Sequence, residues 1–370
     1  MSDTRSETRT PRVVIAHDYL TQRGGAERVA LALLEAFPGS RMVTSIYAPE
    51  STYPEFERHD IEVTPLSSVP AFRRDPRRAL PLLAAAWASV QVNDADVVLC
   101  SSSGWAHGIR TTAPKIVYCH NPARWLYQSS EYIERHGRAQ KVASTLLRRP
   151  LVWWDRRAAA SAQLYLANSL VVARRVERTY GRPAQVVHPP MSVRPKMDRV
   201  PGIEPGSYFL TVGRPRGYKN TTVVAEAITR MPDERLIAVG GLPEGQWPDR
   251  LRGLTGVTDA QLTWLYANAK ALIACAYEDF GLTPLESFSQ GTPVLALRAG
   301  GYVETTIAGV TGEFIDEPTA DSIISAVRRF LVSDFDAEVI RQHADSFSQE
   351  AFTARIRDIV FSQLRQPALT

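Results

Sequence analysis

Two carboxylates eight positions apart, Glu278 and Glu286, bracket the stretch Asp279-Phe280-Gly281-Leu282-Thr283-Pro284-Leu285, and two cations, Arg214 and Lys219, share one short loop earlier in the chain. Cations so placed suit a diphosphate, because guanidinium and ammonium groups make charge-assisted hydrogen bonds to phosphate oxygens in the ground state and in the leaving group. A solvated basic loop is the bland alternative. A carboxylate at the carboxyl edge of a parallel sheet can grip ribose hydroxyls. Glu286 also completes a capping box, with Thr283 as N-cap and Pro284 as the first helical residue. Glu278 has no such local explanation. The amides around Phe280, Gly281 and Leu282 can meet sugar hydroxyls or phosphate, since glycine lets the backbone come close. Gly24-Gly25, just before a helix start, is either a phosphate cradle or a tight turn. His120, followed by Asn121-Pro122, ends an apolar run and is either a ligand contact or a structural histidine. Asp94-Ala95-Asp96 has the form of a metal-holding DxD but precedes a strand, so it reads as a strand-entry turn and no metal is expected.

These residues can meet only if the chain delivers them to sheet edges. Continuous apolar runs predict buried parallel strands at Val13–His17, Arg41–Ile46, Asp96–Cys100, Lys115–Cys119, Leu164–Ala167 and Val186–His188. The rhythm restarts with Tyr208–Val212, Arg235–Val239, Ala271–Cys275 and Pro293–Leu297. Helical patterns fall between them, over Ala26–Phe37, Val152–Ala162, Leu170–Tyr180 with Gly181 as its C′ residue, and Thr221–Thr229. A capping box at Thr258–Gln261 starts another, and the tail carries helices near 319–332 and 349–364. The proline-rich stretch 189–206 reads as a linker. The spacing therefore predicts an α/β chain. A flexible N-terminus (1–12) precedes a first Rossmann-like domain (13–188), the linker, a second domain (207–348) and a terminal helix segment (349–370). Each domain is a doubly wound parallel sheet, and the two face a cleft. The segment Ala123–Arg149, rich in Trp, Tyr and Arg, reads as an excursion that could choose the acceptor.

Composition narrows the classes. At 370 residues the chain exceeds one comfortable core. No apolar run reaches the ~20 residues of a membrane-spanning helix. The polar N-terminus is no secretion signal, and three scattered cysteines read as a reduced, cytosolic pattern. A GxGxxG fingerprint is absent, which argues against a dinucleotide cofactor. Residues 1–190 hold 25 Lys and Arg against 17 Asp and Glu, whereas residues 191–370 hold 18 against 22. Arg73, Arg74, Arg77 and Arg78 precede the apolar Leu80–Trp87, as in a contact with an anionic membrane surface or, equally, a solvated helix face. They are not interleaved with aromatics, so nucleic acid is not an expected partner.

The chain resembles the GT-B glycosyltransferases of family 4. The resemblance is carried by Gly213-Arg214 with Lys219, by the E-x7-E from Glu278 to Glu286 with its Phe-Gly pair, and by Gly291-Thr292-Pro293-Val294. In the first half it is carried by His17-Asp18-Tyr19-Leu20 through Gly24-Gly25, by Tyr118–Pro122, and by Ala167-Asn168-Ser169. The subgroup looks most like the WbaZ-type mannosyltransferases. The resemblance implies a retaining, metal-independent and cofactor-free transfer of a hexose, mannose from GDP-mannose above all, to a lipid-linked or glycan acceptor. It places Arg214 and Lys219 on the diphosphate, Glu286 on the ribose, and Glu278 with Phe280, Gly281 and Leu282 on the donor hexose. Gly24 and Gly25 would touch the diphosphate from the first domain, and His120 would face the transferred sugar. It also implies that the last helix returns to the first domain, with the protein cytoplasmic or peripheral on the inner membrane face. Two other readings stand beside it: a sugar-nucleotide epimerase of the same fold, and a non-catalytic nucleotide-sugar-binding subunit.

Overall fold

The computed structural model describes residues 11–128, 138–191, 196–213 and 219–365. Arg214 and the rest of its loop to Tyr218 lie outside the described residues, as do most of the expected flexible N-terminus, part of the 123–149 excursion and four linker residues. The chain forms two compact units, 1–187 with 352–370, and 188–351.

In the first unit seven parallel strands run β1 (Val13–His17), β2 (Arg41–Thr44), β3 (Ile61–Val63), β5 (Val97–Ser102), β7 (Lys115–Cys119), β8 (Leu164–Ala167) and β9 (Ala184–Val186). The spatial order is β3-β2-β1-β5-β7-β8-β9, and β4 (Gln91–Val92) with β6 (Arg110–Thr111) makes a separate two-stranded ribbon. β1, β5 and β7 are buried at every residue, the pattern of a sheet covered on both faces. One face packs on helix Gly25–Ala36 and on Phe352, Ile356 and Val360 of helix Gln349–Arg365. The other packs on Leu83, Ala84 and Trp87 of helix Leu80–Ser89 and on Val172 and Val176 of helix Leu170–Tyr180. The apolar run after the arginine cluster therefore gives Leu83, Ala84 and Trp87 to the core. Leu82 is its large exposed residue.

The second unit is a six-stranded parallel sheet of β10 (Phe209–Val212), β11 (Leu236–Val239), β12 (Leu251–Leu254), β13 (Ala271–Ala274), β14 (Val294–Leu297) and β15 (Gly312–Ile315), in the order β12-β11-β10-β13-β14-β15. The Thr258–Gln261 capping box forms with both reciprocal bonds, and Gly181 closes its helix in the left-handed region at φ 65°. Three expectations need correction. The stretch Val186–His188 ends as a strand at Val186, so His188 lies beyond it. The helix expected over Val152–Ala162 spans Arg138–Ala160 and passes through Pro150. The capping box at Thr283 does not form, as the site geometry explains. Asp94 and Asp96 sit at the amino ends of strands, held by Arg41 and Arg12.

Candidate active site

In both sheets the strand order reverses once, between β10 and β13 in the second unit and between β1 and β5 in the first. Loops leaving the carboxyl ends of strands at such a reversal diverge to opposite faces and open a crevice, which is where doubly wound sheets bind ligands. Most of the described candidate residues fall at or next to these two points. Gly213 and Lys219 follow β10, and Glu278 to Leu282 follow β13. Gly24 and Gly25 follow β1, while His120 follows β7, next beyond β5.

In the second unit the Lys219 ammonium donates to the Glu278 carboxylate. The two side chains are 24% and 17% exposed, so the pair is neither dry nor freely solvated. Two local features aim the lysine. Its stem lies across Gly213, where an added Cβ would come within 2.9 Å of Lys219 Cγ. The next residue, Asn220, is the one non-glycine among the described residues at positive φ (53°), and its Nδ2 donates to the Cys275 carbonyl at 2.8 Å. A left-handed asparagine costs on the order of 1 kcal/mol. Here the hydrogen bond to the residue just after β13 offsets that cost and turns the chain sharply into helix Thr221–Thr229.

The loop from Glu278 to Gly281 is held from behind by backbone. Gly301 N donates to the Glu278 carbonyl at 2.9 Å. A Cβ on Gly301 would sit 2.3 Å from Phe280 Cα, and one on Gly281 (φ 86°) would sit 2.2 Å from the Tyr302 ring. Helix Leu282–Ser289 begins directly after Gly281, which stands at its N-cap without a side-chain cap. The helix thus starts earlier than Thr283, because the left-handed Gly281 rather than a threonine hydroxyl turns the chain into it. Glu286 is then the fifth helical residue and has no capping role; its Oε2 accepts from the Tyr266 hydroxyl at 2.9 Å. The free amides at this helix start belong to Leu282 and its neighbours, the groups expected to meet a sugar or phosphate.

In the first unit, Gly24 caps helix Gly25–Ala36. A Cβ at Gly24 would lie 2.6 Å from Glu27 Oε2, so glycine leaves room for a buried carboxylate. Burial raises the Glu27 pKa, and the nearby His17 only partly counters it. Ser101 Oγ bridges two rings, 3.0 Å from His17 Nδ1 and 2.8 Å from His120 Nε2. Burial, then the charge of His17, pushes the His120 pKa down to about 3, so the ring is neutral at physiological pH. Asp18, beside His17, accepts backbone N–H bonds from Ser103, Trp105 and Ala106 at 2.6, 2.8 and 2.8 Å and ties the β5 loop to β1. Sequence reasoning did not single out Ser101 or Glu27. A serine inside a strand carries no spacing signal, and only strand order brings Ser101 beside His17; Glu27 meets Gly24 within one helical turn, where a first-turn glutamate reads as an ordinary helix start.

Residues 193–352 match the model of glycosyl transferases group 1, and residues 23–193 match that of Glycosyltransferase Family 4. The two models abut and together cover nearly the whole chain. The chain belongs to glycosyltransferase family 4. Among curated relatives of this family-4 chain, the human alpha-1,3/1,6-mannosyltransferase ALG2 is 24% identical over 311 residues, 70% of this chain and 72% of that one. The Dictyostelium discoideum protein of the same name is 30% identical over 118 residues, which span 30% of this chain but only 28% of that relative's length. A solved structure of Anabaena HepE in complex with UDP-glucose superposes with a TM-score of 0.66 at 16% identity, covering 95% of this chain and 99% of that one. The family-4 chain thus has the GT-B fold.

Proposed function

We propose that this chain is a retaining, metal-independent hexosyltransferase of the WbaZ-type subgroup. It moves mannose from GDP-mannose to a lipid-linked or glycan acceptor in cell-surface polysaccharide or glycolipid synthesis. The observation that carries the reading is the Lys219–Glu278 pair set beside the amides of Phe280–Leu282, on adjacent strand ends where the sheet order reverses. Lys219, with Arg214, takes the charge that develops on the departing diphosphate, the role a divalent ion fills in other transferases. Glu278 orients that ammonium and, with the loop amides, grips the hexose hydroxyls. Glu286 holds the ribose, and Gly24-Gly25 admits the diphosphate from the first domain. His120, neutral, serves as a hydrogen-bonding partner to the transferred sugar and not as a cationic acid. A carboxylate already paired with lysine is a poor nucleophile, so retention comes from front-face attack. The acceptor oxygen bonds to the anomeric carbon as the carbon–phosphate oxygen bond breaks, and the acceptor proton passes to the leaving phosphate.

Mannose rests on the relatives named mannosyltransferases, while a UDP-sugar donor is the second reading, favoured by the HepE complex with UDP-glucose. Melting temperatures measured with GDP, UDP, dTDP and ADP, then with GDP-mannose and UDP-glucose, separate them. A ligand at a hundredfold its Kd stabilises the folded chain by about 2.7 kcal/mol, and GDP with GDP-mannose are expected to do so. Product analysis without acceptor should show intact donor; an isomerised sugar nucleotide would make the chain an epimerase, and binding without transfer to any acceptor a non-catalytic subunit. Stabilisation by none of these nucleotides would refute the donor site. A lipid-linked acceptor also gives the arginine cluster a role, holding the chain on the inner face of the membrane.

A further inference from the structure

Behind the proposed donor loop lies a histidine–carboxylate pair that the chemistry above does not use. His188, the first residue of the second unit, stacks its ring on Phe280 with centroids 5.2 Å apart and planes 22° from parallel. Phe347 tilts against both rings, at 5.5 and 6.2 Å. The His188 Nε2 lies 3.0 Å from Glu304 Oε2, and that carboxylate is 5% exposed. Glu304 belongs to the short helix Tyr302–Thr305 directly after Gly300-Gly301, and its own N–H donates to the Gly301 carbonyl at 3.0 Å. The loop is therefore pressed between two supports. Backbone at Gly300 and Gly301 touches Glu278 and Phe280, since a Cβ at Gly300 would sit 2.2 Å from the Glu278 carbonyl oxygen. The His188 ring holds the Phe280 side chain.

We propose that His188 and Glu304 are positioning residues for the donor hexose, locking Phe280 and thereby aiming the amides of Phe280–Leu282. The proposal rests on the reading of this loop as the donor grip. A nearly buried carboxylate is costly unless it is paired. Packing alone could be supplied by an apolar residue at position 304. A hydrogen-bonded imidazole, by contrast, has one ring orientation, and a stacked ring transmits that orientation to Phe280. The loop amides meet the sugar, whereas the nucleotide is assigned to Lys219, Arg214 and Glu286. Loosening the lock should therefore weaken sugar recognition and spare the nucleotide.

Dissociation constants by calorimetry for GDP-mannose, UDP-glucose, GDP and UDP, in wild type, Glu304→Gln and His188→Asn, test this. Both variants are expected to lose roughly tenfold in affinity for whichever nucleotide-sugar the wild type binds, as for one lost charge-assisted hydrogen bond, and to keep the affinity for the matching free nucleotide. Unchanged affinity for the nucleotide-sugar would overturn the proposal, and so would an equal loss for sugar nucleotide and free nucleotide, which is the mark of a purely structural pair. If Glu304→Gln unfolds, His188→Asn decides alone, since it keeps a short hydrogen-bonding side chain at a partly exposed position. A wild type that binds neither nucleotide-sugar refutes the donor loop itself, and that failure is read before any variant is compared.

Discussion

Lys219 and Glu278 are each other's partner before any donor arrives, which changes what a substitution at either position measures. Lys219→Ala removes a cation from the leaving diphosphate and also strands a carboxylate that is 17% exposed. Glu278→Ala removes the carboxylate that orients the Lys219 ammonium. Each single change should lower kcat/KM by roughly 10²–10³, the scale for losing one preorganised charge in an active site. The double variant should be less impaired than the product of the two, with a coupling of at least about 1 kcal/mol, because neither charge is then left orphaned. Steady-state kinetics on the four proteins give that coupling directly. Strictly additive effects would mean the pair is incidental to transfer. Glu286 differs: its helix starts too early for it to serve as a cap, and the Tyr266 hydroxyl donates to its Oε2.

At the scale of elements, the ends of β1, β5 and β7 are joined by the His17–Ser101–His120 chain, and this gives the fold a pH signature. The folded-state pKa of His120 is depressed from 6.5 to about 3. Between those values the unfolded chain binds a proton that the folded chain refuses, so stability contributed here is complete above pH 6.5 and is lost as pH falls toward 3. Glu27 acts in the opposite sense, since its raised pKa lets the folded state take up a proton earlier. The readout is therefore the difference between wild type and His120→Gln. Urea midpoints of the wild type should drop more steeply from pH 7 to 5 than those of the variant. Parallel curves would mean that His120 protonates equally in both states. The same elements account for what the sequence made legible. β1, β5, β7, β10, β13 and β14 announce themselves as unbroken apolar runs because they lie inside their sheets. β3, β12 and β15 do not: Ile61-Glu62-Val63 is half-exposed, and Leu251-Arg252-Gly253-Leu254 and Gly312-Glu313-Phe314-Ile315 mix glycine and charge, as edge strands do. The site motifs were legible as spacing. The supports behind them, His188, Glu304 and Ser101, were not, since stacking and bridging contacts depend on strand order and leave no period in the chain.

For the whole molecule, the relevant quantity is the charge imbalance between the halves of the chain. No helix of the described residues is long and apolar enough to cross a membrane, and the lipid-surface contact proposed above draws instead on charge. The arginine cluster fits that demand in part. Arg77 and Arg78 are about two-thirds exposed, with Val69 and Leu82 exposed nearby. One side of helix Leu80–Ser89, in contrast, is committed to the core through Leu83, Ala84 and Trp87. Asp75 works against attraction: it accepts from Arg77 Nε at 2.7 Å and lies near Arg78, and the Arg77 hydrogen bond holds its carboxyl below the usual range, so it stays charged. Four arginines less one aspartate, at about 1 kcal/mol per surface charge, amount to about a hundredfold in partition to anionic vesicles. Sedimentation with vesicles containing phosphatidylglycerol should show binding that falls from 50 to 300 mM salt. Alanine at Arg73, Arg74, Arg77 and Arg78 should abolish it, while Asp75→Asn should strengthen it. That opposite sign is the discriminating arm, because an apolar docking face would respond to none of these charges, and insensitivity to both salt and Asp75 would leave the cluster a solvated surface.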